Sequence, residues 1–128
     1  MKPVDFEYAR AHSIDHALRL LEDAHGEAKV VAGAQSLGPM LNLRLVQPRL
    51  LVDIAGIGEL TRIEERPDAV VLGACVTSAN VEDGRIPERG LRMLRAVATV
   101  TAYRAVRNRG TLGGSLCHAD PASDWIAA

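Results

Sequence analysis

The chain has 128 residues, 48% of them hydrophobic and 24% charged, a composition typical of a single soluble globular domain. Its formal net charge of −1 argues against the basic surface with which proteins bind nucleic acids or anionic membranes. Aromatic residues make up only 3%, too few for a surface that stacks RNA bases. No apolar signal segment opens the chain, and its longest charge-free stretch, 30–43, is too short and too interrupted to span a bilayer.

The cysteines and arginines carry no site signature of their own. Cys75 and Cys117 lack metal-ligand spacing, so we expect two reduced thiols in a cytoplasmic protein, with a disulfide as the less favoured alternative. The late arginines indicate a solvated helix face or a surface that pairs with acidic residues of a partner subunit. They are Arg85, Arg89, Arg92, Arg95, Arg104, Arg107 and Arg109.

The chain opens with a predicted strand and an amphipathic helix. Apolar and acidic residues alternate over 4–8, which indicates a short strand. Ser13 stands at an N-cap position and Gly26 at a helix end. The apolar stripe between them, which we expect to face the core, comprises Ile14, Ala17, Leu18 and Leu21.

Strands are also predicted further along. Residues 29–32 indicate a buried strand that runs into the small-residue turn 33–39, after which a helix begins. Residues 50–54 indicate another strand. Residues 62–65 and 69–73 predict a hairpin, because a Pro-Asp turn separates them.

Short helices dominate the remainder of the predicted structure. Thr77 is the expected N-cap of a helix that ends near Glu82, and Pro87 can open the next one. The inward residues of that helix are expected to be Leu91, Leu94, Val97 and Ala98. Pro121 or Ser123 starts a last helix, so close to the end that the chain looks cut off. The pattern predicts an α+β or α/β domain with helices packed on a small sheet.

Two small-residue segments have the composition of phosphate-binding loops. Such a loop needs backbone N–H groups aimed at the anion and side chains small enough to let it approach. The first, 32–36, follows a strand and precedes a helix, and Ser36 could add a hydroxyl donor. The second, 110–115, has adjacent glycines but neither the P-loop lysine nor the Rossmann glycine spacing. On these residues alone, two unrelated tight turns remain an equal alternative.

Three polar residues follow the second segment. His118, Asp120 and Asp124 have ligand-type side chains, but no further cluster accompanies them, so we discount a metal site. Asp120 precedes Pro121, an arrangement typical of helix entry. We therefore favour a helix cap at Asp120 over acid–base chemistry.

These motifs resemble those of a known family. Residues 32–37, Ala-Gly-Ala-Gln-Ser-Leu, resemble the first loop, A-G-G-x-S-L, of the FAD-binding medium subunits of xanthine dehydrogenase and aerobic carbon monoxide dehydrogenase. Residues 111–124 are similar to their second signature, T-I-G-G-S-L-A-H-A-D-P-A-x-D. The resemblance covers essentially the whole chain as the N-terminal part of such a molybdenum hydroxylase subunit. It implies a vanillyl-alcohol-oxidase / PCMH-type FAD-binding domain, with a first lobe over about 1–55 and a second over about 56–128.

The resemblance also implies which residues contact FAD and which departure matters. The family usually has a second glycine where this chain has Ala34; if that position needs positive φ, alanine costs about 1 kcal/mol or somewhat more. The resemblance also implies that Leu72, Gly73 and Ala74 lie near the cofactor. No residue is expected to be catalytic or to bind metal. The implied cofactor-binding residues are Ala32, Gly33, Ala34, Gln35, Ser36, Leu37, Thr111, Gly113, Gly114, Ser115, His118, Asp120 and Asp124.

The function implied by the resemblance is electron transfer. FAD would pass electrons from iron–sulfur clusters to an external acceptor within an oxidoreductase. The implied partners are a large molybdenum-cofactor subunit and a small iron–sulfur subunit, in a cytoplasmic hetero-oligomer without nucleic acid or a membrane span. The alternative is a truncated remnant that carries no flavin and acts only as an interaction module.

Overall fold

A three-stranded parallel sheet forms the first half of the molecule. The computed structural model describes residues 1–87 and 91–128. Strand β3 (Leu50–Asp53) lies in the middle, between β1 (Glu7–Arg10) and β2 (Ala28–Val31). Its register opposes Leu51 to both Tyr8 and Lys29. A separate antiparallel hairpin follows, made of β4 (Ile63–Glu65) and β5 (Val70–Leu72).

Short helices surround these strands. Ser13 and Thr77 cap α1 and α4 as predicted, since each accepts a hydrogen bond from a backbone N–H of the first turn. Only α1 and α5 exceed seven residues in the described part of the chain. The helices are α1 (Ile14–Asp23), α2 (Leu37–Asn42), α3 (Gly58–Thr61), α4 (Ser78–Glu82), α5 (Arg92–Val100), α6 (Arg104–Arg107), α7 (Leu112–His118) and α8 (Asp124–Ala127).

Three apolar clusters stabilise the fold. Val52 lies fully buried between β3 and α1, whereas its neighbour Leu51 packs on the opposite face of the sheet with α2. The central strand is therefore covered on both faces, as strands of parallel sheets usually are. The predicted burial of β2 is wrong, because Val31 is the one buried residue of its four. The third cluster joins α4, α5, α7 and α8 around Val81, Ala98 and Trp125.

The predicted start of the first strand and part of the predicted helix face are wrong. The strand begins at Glu7 rather than residue 4, because the pairing with β3 starts with Glu7 opposite Leu50. In α1, Ala17 is buried as expected, but Leu18 is 51% exposed. The helix is rotated so that Leu20 and Leu21 contact the cluster around Val52.

The long arginine-rich helix begins later than predicted. Its first residue is Arg92 rather than Pro87, and residues 88–90, including Arg89 of the arginine cluster, lie outside the described residues. The predicted inward set is confirmed, since Ala98 is fully buried and Leu91, Leu94 and Val97 pack against the same cluster. No described helix is long and apolar enough to cross a membrane.

Candidate cofactor site

The first small-residue segment forms an open loop with free backbone donors. It follows the carboxyl end of β2 and leads into α2, as the sequence predicts. Within the described part of the chain, the N–H groups of Gly33, Ala34, Gln35 and Ser36 donate no hydrogen bond. The Ser36 hydroxyl makes no cap bond either. Four consecutive free N–H groups and a free hydroxyl can together bind an anion.

The loop holds an alanine in the left-handed region. Ala34 has φ 60°, so this is a position that does favour glycine. Its carbonyl oxygen accepts the N–H of Gly38 at 2.8 Å, which ties the loop to the first turn of α2. The Gln35 side chain donates to the Gly33 carbonyl oxygen at 2.7 Å. The loop is thus held by its carbonyl groups, while its N–H groups stay available.

Gly33 joins the two small-residue segments. A Cβ atom at this buried glycine would overlap with the carbonyl oxygen of Arg109 and stand 3.0 Å from the Cα of Gly110. On the other side, the Cγ of Gln35 lies 3.8 Å from the position of a Cβ on Gly110. Backbone packing therefore places the two segments side by side.

The second segment is the first turn of a helix rather than an irregular break. Thr111 is the N-cap of α7, and its hydroxyl accepts the N–H of Gly114 at 3.1 Å. The N–H groups of Leu112 and Gly113 donate to the carbonyl oxygens of Val76 and Ala74, at 3.0 and 2.9 Å. These donors are used inside the protein, so this segment offers fewer free N–H groups than the first.

Packing explains the glycine at position 113. A Cβ there would lie 2.5 Å from the Cβ of Ala74, so only glycine lets α7 approach the 74–78 segment. This contact also places Ala74 beside the second segment. Ser115, whose hydroxyl lies 2.7 Å from that of Ser123, connects α7 to the start of α8.

His118, Asp120 and Asp124 form no shared cluster. The Asp120 carboxylate accepts the N–H of Ala122 at 2.9 Å in a turn, whereas the N-cap of α8 is Ser123, so the predicted helix cap at Asp120 is wrong. Asp124 accepts the Thr101 hydroxyl at 3.1 Å. No group of three or more metal-ligating side chains occurs in ranges 1–87 and 91–128.

A buried carboxylate near the first loop was missed by the sequence reasoning. Asp53 is the last residue of β3 and pairs with Val31 of β2. Val31 in turn lies two residues before Gly33. It accepts the Tyr8 hydroxyl and the Ala55 N–H, and the Arg10 Nε lies 3.8 Å away. The hydrogen bond to Asp53 raises the pKa of Tyr8 above its ordinary value. An aspartate at the end of an apolar strand was the available signal.

A groove lies at the other edge of the sheet. It has a volume of about 580 Å³ and is lined by residues before and at the start of the strands, including Glu27, Lys29 and Arg49. The first loop instead follows the carboxyl end of β2, the edge at which α/β sheets commonly bind ligands. The first loop is therefore not part of this groove.

The loop has the chemistry of an anion-binding segment. Four consecutive N–H groups have no partner among the described residues, and most of the side chains around them are small. No acidic side chain lies within 32–37 to repel the anion. Fold and loop together define an α+β domain suited to a nucleotide-type cofactor.

The comparisons with known proteins give the family. The family model described as "FAD binding domain in molybdopterin dehydrogenase" matches residues 4–128. The alpha subunit of the 6-hydroxypseudooxynicotine dehydrogenase complex of Paenarthrobacter nicotinovorans is 43% identical over 97% of this chain and 42% of its own length. The carbon monoxide dehydrogenase medium chain of Hydrogenophaga pseudoflava is 40% identical over 99% of this chain and 44% of its own length. The chain belongs to this family of FAD-binding domains.

A solved relative confirms the predicted fold class. Carbon monoxide dehydrogenase from Hydrogenophaga pseudoflava, in a form that lacks the Mo-pyranopterin moiety, matches with a TM-score of 0.90 and 37% identity. The match covers 99% of this chain and 44% of that chain. The α+β FAD-binding fold, with helices packed on small sheets, is therefore confirmed. The chain spans less than half the length of the curated relatives it matches.

Proposed function

We propose that the first loop binds the pyrophosphate of FAD through the N–H groups of Gly33, Ala34, Gln35 and Ser36. The observation that carries this proposal is that these four donors are free, although the loop itself is anchored. Each would donate to a phosphate oxygen, and the Ser36 hydroxyl would add a fifth donor. Family membership gives FAD as the cofactor.

The remaining predicted contacts belong to the same proposal, but they would contribute to the site in different ways. Thr111, Gly113, Gly114 and Ser115 would place the start of α7 beside the pyrophosphate, mainly by packing, because most of their N–H groups are already used. Ala32 and Leu37 flank the first loop. His118, Asp120 and Asp124 have exposed side chains and would approach the flavin.

The division into two lobes is also a proposal. Two of the apolar clusters, those around Val52 and Leu51, use residues up to Leu60, and the third uses residues from Ile63 onward. This supports two lobes with a boundary between Leu60 and Ile63, a little later than the predicted 55. The cofactor loop would meet the second lobe where Gly33 packs against Arg109 and Gly110, just before α7.

At the level of the whole protein, we propose a flavin subunit of a molybdenum hydroxylase. Bound FAD would accept electrons from iron–sulfur clusters and deliver them to an external acceptor. Large molybdenum-cofactor and small iron–sulfur subunits would be its partners. The names of the relatives, "subunit alpha" and "medium chain", support an assembly of this kind. Cys75 and Cys117 are free thiols, in keeping with a cytoplasmic location.

A comparison of FAD with riboflavin tests the proposed site. Riboflavin lacks the pyrophosphate, so a site built on the loop donors should bind FAD at least about tenfold more tightly, equivalent to about 1.4 kcal/mol. Flavin fluorescence measures both affinities. Ser36→Ala should weaken FAD and leave riboflavin unchanged, and inorganic pyrophosphate should compete with FAD. The control is Thr99→Ala, on the exposed face of α5. Equal affinities for both flavins would contradict the proposal.

A further inference from the structure

Arg107 connects three elements of the second lobe. Its Nε and Nη2 donate to the two carboxylate oxygens of Glu82 at 2.8 and 3.0 Å, in a forked ion pair. Its Nη1 donates to the carbonyl oxygens of Thr101 and Ala102 at 3.2 and 2.8 Å. The side chain is only 12% exposed, so this single guanidinium binds α6 to α4 and to the end of α5 from a nearly buried position.

Each partner of Arg107 leads to a predicted cofactor segment. Helix α4, which carries Glu82, begins with Ser78, whose N–H donates to the Gly110 carbonyl oxygen at 2.9 Å. Thr101, at the end of α5, donates its hydroxyl to Asp124. Arg107 itself ends α6, two residues before Arg109, on which Gly33 packs.

We propose that Arg107 is a positioning residue for FAD. It fixes the positions of the first loop, the start of α7 and Asp124 relative to one another. This inference rests on the proposed function and deepens it. Arg107 touches none of the cofactor-binding residues directly; it acts through Glu82, through the Thr101 carbonyl, and through the chain that continues to Gly110.

Arg104 provides a matched comparison on the same helix. It carries the same charge as Arg107 and forms ion pairs with Glu82 and Asp83, each at 2.7 Å. The two arginines therefore share Glu82 as an acidic partner. Its side chain is 47% exposed, and none of its hydrogen bonds to described residues reaches the end of α5. Loss of Arg104 therefore removes surface ion pairs without releasing the turn at 101–103.

Lysine at position 107 cannot substitute for arginine in this role. Its single ammonium group keeps the charge but cannot form the fork with Glu82 while also reaching two carbonyl oxygens. If Arg107 acted only through its charge, Arg107→Lys would restore the wild-type behaviour. A positioning role predicts that it will not.

The test compares Arg107→Gln, Arg107→Lys and Arg104→Gln in the full 128-residue chain. Amide NMR shifts of Gly33, Gly110 and Asp124 are measured without ligand at a temperature where all variants are folded. FAD affinity and the visible circular dichroism of bound flavin are then measured in the same samples. Both Arg107 variants should shift these amides, weaken FAD at least about tenfold and alter the flavin signal at saturation. Arg104→Gln should do none of these.

Three outcomes of the amide measurements overturn the inference, and none depends on the proposed function. Wild-type amide shifts in Arg107→Lys would show that the charge alone suffices. Unchanged Gly33, Gly110 and Asp124 amides in Arg107→Gln would show that the ion pair positions nothing at the site. Equal effects of Arg104→Gln would show a general charge effect. Failure of the wild-type chain to bind FAD would contradict the proposed function instead, while the amide shifts would still decide the role of Arg107.

Discussion

Gly33 and Arg109 meet backbone to backbone, with the Arg109 carbonyl oxygen occupying the space of a missing side chain. The glycine is buried, and the carbonyl belongs to the main chain, so neither partner can move aside by changing a rotamer. At this contact the first loop lies against the segment that precedes α7.

Gly33→Ala should therefore destabilise the fold and weaken FAD together. Forcing a methyl group into a packed contact costs about 1–3 kcal/mol, because the backbone must shift. Thermal unfolding and an FAD titration measure the two effects. Gly38→Ala is the control, since a Cβ there meets nothing within 4 Å and the residue lies in α2. Wild-type stability in Gly33→Ala would contradict the contact.

Ala34→Gly should stabilise the protein. The left-handed backbone at φ 60° costs an alanine about 1–2 kcal/mol, and the greater flexibility of unfolded glycine offsets about half of that. We expect a net gain of about 0.5–1 kcal/mol in the free energy of unfolding. Ala102→Gly, at φ 50° and outside the loop, should give a similar gain. Ala34→Gly should also change FAD affinity, because it lies in the loop. A loss of stability in both variants would refute the argument.

Acid should weaken the contacts of Glu82. The hydrogen bond from Arg107 and those from Arg104 hold the pKa of Glu82 below its ordinary value of 4.5. A lowered pKa means that the stabilisation is fully present above about 4.5 and is lost as the pH falls through the folded-state value. Unfolding midpoints of the wild type should fall more steeply below that pH than those of Glu82→Gln. Parallel curves would show that the pair adds no stability.

The two thiols should differ in reactivity. Cys117 is exposed, whereas Cys75 is buried with its Sγ 3.6 Å from the Ile54 carbonyl oxygen. Burial, and secondarily the charge of Asp53, raises the pKa of the Cys75 thiol, which lowers its thiolate fraction. A thiol reagent at pH 8 should modify one cysteine quickly in the native chain and two after unfolding. Cys117→Ser should abolish the fast phase; rapid loss of both thiols would contradict the burial of Cys75.

Local sequence signals predicted most elements but not their orientation. Ser13 and Thr77 are caps whose hydroxyl groups act within three residues, so their helices could be located from the sequence. The inward face of α1 depends on the sheet that it meets, and Leu18 was therefore placed wrongly. The same holds for Asp53, whose partners Tyr8 and Arg10 come from a strand more than forty residues earlier.

The roles of the glycines in the site could likewise be predicted only in part. The small residues of 33–36 did predict an open loop with accessible N–H groups. The glycines at 113 and 114 predicted a similar loop, but they permit close packing and a capped helix. Composition alone does not distinguish a glycine that exposes backbone to a ligand from one that admits a neighbouring chain segment, because both uses need the absence of a side chain.

The central place of β3 constrains the order in which the chain can fold during synthesis. β1 and β2 do not pair with each other, and each has β3 as its neighbour, so the sheet forms only after Asp53 has left the ribosome. The contact between Gly33, in the loop after β2, and Arg109 can form only later, because Arg109 lies more than seventy residues downstream. A nascent chain therefore completes the packing of this loop late, and a ribosome stalled before codon 109 would carry a sheet whose loop is still unsupported.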